Sequence, residues 1–115
     1  MNKTSTNILT SVYGELDRAI RKFPSWPNDP LHALAILGEE FGELTKDCLQ
    51  LTYEPDKTTV ENLKAEAIQT AAMALRFAAS LDDYIFIKSE QHRQKEWTKG
   101  VEDYRNSGGM HPCYD

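Results

Sequence analysis

Residues 63–81 read LKAEAIQTAAMALRFAASL, and from Ala67 to Ala79 only Gln69, Thr70 and Arg76 are polar. At about 100° per residue this is a helix that is apolar nearly all round, and such a helix lies between neighbours rather than on a surface. Its many alanines allow those neighbours to approach closely. Thr58 or Thr59 can cap its start, Glu61 suits the positive end of the helix dipole, and the pattern runs to about Leu81. Glu66 and Gln69, three residues apart, stand out against these surroundings. A bare carboxylate in an apolar place is costly, so a cation or a basic side chain is expected beside it.

The segments on either side are helical too. From Ile8 to Phe23 the apolar residues Ile8, Leu9, Val12, Tyr13, Leu16, Ala19, Ile20 and Phe23 follow a 3.6-residue period. The stretch FPSWPNDP ends that helix, because Pro24, Pro27 and Pro30 cannot donate backbone hydrogen bonds. Asp29-Pro30 restarts one, with Asp as N-cap and Pro in the first turn. Leu34, Leu37, Phe41, Leu44, Cys48 and Leu51 form its expected core stripe, and Pro55 marks its end. A fourth helix is expected from about Asp83, its polar second half either fraying or packing on a second subunit through Trp97, Val101 and Tyr104. The tail NSGGMHPCYD should be loosely held. The fold expected is all-α, an antiparallel helical bundle of about four helices completed by oligomerisation. Residues 1–105 form its single domain and residues 106–115 a flexible tail.

With 115 residues and 40% apolar content, the chain can fold as one domain and is not mainly disordered. Its 13 basic and 18 acidic residues give a net charge of −5, which argues against a nucleic-acid polymer as partner. It leaves room for a small phosphorylated ligand, because a metal can supply positive charge. No stretch has the length and apolarity of a signal peptide or a membrane span, so a cytoplasmic protein is expected. Cys48 and Cys113 lie far apart without zinc spacing and read as free thiols, Cys48 in the core. His92 and His111 sit in polar stretches and carry no readable signal.

On the second helix, ILGEEFGEL at residues 36–44 places Glu40 and Glu43 about 60° apart, while Glu39 points towards solvent. The two pairs, Glu40/Glu43 and Glu66/Gln69, can therefore converge from facing helices, which is how helical bundles hold metals. Oxygen ligands without His or Cys favour magnesium, or manganese, over zinc. The plainer alternative is a solvated acidic face, with Glu66 paired to Lys64 or Arg76.

Taken together, HALAILGEEFGEL and LKAEAIQTAAMALRFAASL resemble the MazG-type all-α nucleoside triphosphate pyrophosphohydrolase superfamily, whose signature is EExxE on one helix and ExxD on the next. The resemblance covers about Ile8 to Leu81. It implies a dimeric or tetrameric bundle that hydrolyses a nucleoside triphosphate to monophosphate and pyrophosphate, with magnesium held by Glu40, Glu43, Glu66 and Gln69. The family pattern has Asp where this chain has Gln69, a neutral and longer ligand. Asp47, one turn beyond Glu43, can partly compensate. Glu39 or Glu43 is the expected general base, and Lys46 or Arg76 the expected partner of the leaving pyrophosphate. Trp26, able to stack on a base, and His32 are the expected nucleotide contacts; Trp26 alternatively covers the end of the bundle. The alternatives in function are a non-catalytic nucleotide- or metal-binding module, and a purely structural oligomerisation protein.

Overall fold

The structure, a computed structural model, describes residues 2–86 and 90–107, with side chains in the last stretch from residue 97 on. Among these residues all regular structure is helical: α1 (Lys3–Lys22), α2 (Pro30–Tyr53), α3 (Val60–Ala79) and α4 (Glu90–Asn106). Single 3-10 turns follow α2 at Pro55–Lys57 and α3 at Leu81–Asp83. The chain divides into two compact units, Met1–Ile85 with α1 to α3 and Phe86–Asp115 with α4. Of the expected tail, Asn106 is the last residue of α4 and the Ser107 amide donates to the Asp103 carbonyl at 3.0 Å; the rest of it, with His111 and Cys113, lies outside the described residues, as does the side chain of His92.

Each helix of the first unit begins where a side chain takes over an orphan backbone donor. The Asn2 side chain accepts from the Ser5 amide at 2.9 Å, Asp29 from Leu31 at 3.0 Å, and Thr59 from Asn62 at 3.1 Å. Pro30 occupies the first turn of α2, where its missing N–H costs nothing.

Helix α3 packs on both α1 and α2, the middle position its composition demands. Val12 and Ala19 of α1 meet Ala72 and Met73 of α3, with Leu16, Trp26, Ile36 and Leu37 packed around them. The core is small, and among the described residues no large side chain is fully buried. The outward side of α3, including Ala74, Leu75 and Ala78, is exposed.

Three sequence expectations need correction. The stripe of α2 splits: Leu37, Leu44 and Leu51 are partly covered, whereas Leu34, Phe41 and Cys48 are exposed. After the buried Ala33 the partly covered positions run Ile36, Leu37, Glu40, Leu44, Asp47, Gln50 and Leu51, so the side of α2 towards its neighbours carries Glu40 and Asp47. Cys48 is accordingly a surface thiol and not a core residue. Third, no helix starts at Asp83. Tyr84 is buried, and the Ile85 amide donates to the Asn28 carbonyl at 2.9 Å, which ties this segment to the proline-rich loop in extended form. Among the described residues no helix is long and apolar enough to cross a membrane.

Candidate functional site

Helices α2 and α3 meet at Thr70. Its hydroxyl lies 2.8 Å from the Glu66 carbonyl oxygen and 3.2 Å from the Glu40 carbonyl oxygen, so one proton is shared between the two helices. Glu40 and Glu66 therefore stand on adjoining backbones, and both are only partly exposed. Burial raises the Glu40 carboxyl above the usual carboxylate range, and the charges of Glu66, Glu43, Glu15 and Glu39 add to the effect. Glu66 is raised too, again first by burial and then by Asp47 and Glu43. Glu66 Oε2 is buried without a hydrogen-bond partner. Neither Lys64 nor Arg76 neutralises it, so the plainer pairing expected for Glu66 is not formed.

That orphaned oxygen and the all-oxygen donor set fit a hard divalent cation. The carboxylates are not gathered into a finished cage, however. Among the described residues no three His, Cys, Asp or Glu side chains stand close enough together to form one. Glu39 and Glu43 are exposed; the charge of Glu43 acts on both Glu40 and Glu66, that of Glu39 on Glu40 alone.

Beside Glu40 opens a cavity of about 300 Å³. Glu40 and Gln69 form part of its wall together with Glu15 of α1. Ile36, Met73, Phe23 and Trp26 provide apolar surface, and Arg18, Lys22 and Arg76 provide positive charge. Sequence reasoning missed Glu15, Arg18 and Lys22. Their signal is present in ELDRAIRK at residues 15–22, where polar groups at i, i+3 and i+7 flank the buried Ala19.

The expected substrate contacts are distributed unevenly. Trp26 lines the cavity with its indole N–H donating to the Tyr84 hydroxyl at 2.9 Å, and Tyr84 donates onward to the Phe77 carbonyl at 3.2 Å. Arg76 lies over the Trp26 ring at 4.6 Å from its centroid and donates to the Phe23 carbonyl at 2.7 Å and the Ala19 carbonyl at 3.5 Å. It thus caps the C-terminus of α1, and burial lowers its pKa. Two of its N–H groups are engaged with backbone carbonyls, while its side chain still forms part of the cavity wall. His32 is exposed outside the cavity wall, and Lys46 lines a separate shallow groove on α2 with Gly42, Leu49 and Tyr53. Neither is brought to Glu40, because both project from other sides of α2.

Compared with models of known families, with curated proteins and with solved structures, the chain matches none. The class defined by fold and geometry is an all-helical chain with an acidic helix crossing beside a mixed aromatic and basic cavity.

Proposed function

We propose that this chain is a magnesium-dependent nucleoside triphosphate pyrophosphohydrolase of the MazG type, converting a triphosphate to a monophosphate and pyrophosphate in nucleotide housecleaning or pool control. The observation that carries this reading is the partly buried carboxylates Glu40 and Glu66, both raised in pKa and one oxygen of Glu66 unpartnered, with Glu40 and Trp26 on the wall of one cavity. The EExxE and ExxQ motifs supply the family resemblance.

Glu40, Glu43, Glu66 and Gln69 would hold magnesium or manganese, with Asp47 adding charge near Glu66. When bound, the ion screens the polyphosphate and acidifies water. The residues do the rest. Glu43, whose charge reaches both Glu40 and Glu66, is better placed than Glu39 to take a proton from the attacking water. Trp26, pinned by Tyr84 and Arg76, offers a fixed face to a base. Ile36 and Met73 exclude water from that end of the cavity.

The exposed apolar residues of the first unit, Phe41 at 61% and Tyr53 at 78% among them, support self-association as a dimer or tetramer. A cytoplasmic setting is part of the same proposal.

The test is pyrophosphate release from a panel of canonical and modified nucleoside triphosphates. Wild type should turn over at least one, and Glu40→Gln and Glu66→Gln should each lose more than about a hundredfold in rate. Activity surviving the double substitution would remove the site. A second reading is a non-catalytic nucleotide binder, favoured by neutral Gln69 and by the absence of a closed carboxylate cage among the described residues. Binding of a triphosphate without release of pyrophosphate across the panel selects it.

A further inference from the structure

The cavity wall carries three cations, Arg18, Lys22 and Arg76, in different states. Arg76 is committed to the carbonyls of Phe23 and Ala19, and turning it towards a ligand would take this donor from the part-buried Phe23 carbonyl. The Lys22 ammonium rests 5.4 Å from the centroid of the Phe23 ring. Arg18 alone among the three is paired with a carboxylate. Its Nε donates to Glu15 Oε2 at 3.0 Å and its Nη2 to Glu15 Oε1 at 2.5 Å. This two-pronged geometry is the one a guanidinium offers to a phosphate.

The two partners differ in exposure. The Glu15 side chain is 18% exposed and that of Arg18 56%, so the arginine can swing while the carboxylate stays on the wall. Glu15 also faces the end of the cavity that holds Glu40, whose protonation its charge favours. The negative charge of Glu15 is thus tolerated there because Arg18 covers it.

We propose that the Glu15–Arg18 pair is a counter-ion latch: a phosphate group of the ligand displaces the Glu15 carboxylate and takes over the guanidinium of Arg18. The ligand class is a polyphosphate ester, its phosphates on the Arg18 and Lys22 side and its apolar part against Phe23 and Trp26. The inference deepens the nucleotide reading and rests on it for the identity of the natural ligand, but the exchange itself needs no metal. In the absence of a cation the carboxylate competes with the incoming phosphate for the guanidinium, so Glu15 opposes binding even as it orders Arg18.

The experiment is isothermal titration of the full chain with inorganic triphosphate in the presence of EDTA. Arg18→Ala should weaken binding about tenfold, with Arg18→Lys only partly restoring it, because a point charge lacks the fork. Glu15→Gln should tighten binding by about two- to fivefold, the competition of a partly exposed ion pair. Asp17→Asn, which removes the same charge two residues along α1 from a residue paired with Arg21, should change nothing. The deciding comparison is Glu15→Gln within Arg18→Ala, where the gain should vanish. An equal gain in both backgrounds means simple charge repulsion and overturns the latch. So does unchanged EDTA binding in Glu15→Gln combined with loss of the magnesium-induced rise in melting temperature, because Glu15 is then a metal ligand. Circular dichroism checks the fold of every variant. If wild type lacks any magnesium response yet shows the EDTA pattern, the metal reading fails and the latch stands.

Discussion

Glu66 places an ionisable oxygen where neither water nor a donor reaches it. Its folded-state affinity for protons exceeds that of the unfolded chain, as does that of Glu40. Between the ordinary carboxyl value of 4.5 and the raised ones, the folded state binds more protons than the unfolded state, so metal-free stability falls as pH rises through that window. Glu66→Gln should flatten this fall and raise the metal-free melting temperature at neutral pH, read by thermal melts in EDTA at pH 4.5 to 7.5. Glu15, held below the usual range by Arg18, contributes with the opposite sign and loses its contribution as pH falls. Magnesium should reverse the ranking: wild type gains melting temperature with added ion, Glu66→Gln does not. Gln69→Asp restores a fourth negative charge, and its expected signature is saturation of the thermal shift at lower magnesium. Trp26→Ala removes the face on which Arg76 rests and should cost about 3 kcal/mol in urea unfolding; Trp26→Phe, which keeps an aromatic face but loses one ring and the hydrogen bond to Tyr84, should cost less, about 1–2 kcal/mol.

For the helices, local chemistry carried most of the information. Asp29-Pro30 and Thr59 announced the starts of α2 and α3 because capping is decided by immediate neighbours in the chain. The uniform apolarity of 67–79 announced the central place of α3. That the acidic pairs lie on neighbouring helices was legible, and Thr70 bridges those helices at the Glu40 and Glu66 carbonyls. What could not be read depends on contacts distant in sequence. Leu34 and Phe41 carry the same period as Leu37 and Leu44, and only the placing of α3 decides which side is covered. Glu15 and Arg18 look like an ordinary surface pair until α1 is laid beside Glu40. The start of α4 has no local signal, because Tyr84 is drawn into a hydrogen-bond chain ending on Phe77, an interaction without a local motif. On α2, a Cβ added at Gly38 or Gly42 would meet nothing within 4 Å. In an isolated chain Gly42→Ala should then stabilise the helix by up to about 1 kcal/mol. Destabilisation in denaturant melts, with lower apparent mass, would place that face against another copy.

At the scale of the molecule, the first unit is poor in interior. Val12, Ala19, Ala33, Ala72, Met73 and Tyr84 are its buried apolar residues, small apart from the methionine and tyrosine. Tyr13, Ile20, Phe23, Phe41 and Leu49 remain open to solvent. Sedimentation of the full chain should show a species larger than its 13.1 kDa monomer, and Phe41→Glu should shift it downwards. A monomer at all concentrations, with full melting cooperativity, would set self-association aside.

The loop between α1 and α2 is fastened at several points before anything enters the cavity: Arg76 to Phe23, Trp26 to Tyr84, and Ile85 to Asn28. The freedom of that segment is therefore surrendered when the chain folds, not when a guest arrives. Capture at this wall should leave the amide of Ile85 just as slow to exchange with deuterium as it was in the empty protein. A lid that closes on its guest would instead show exchange slowing sharply upon capture.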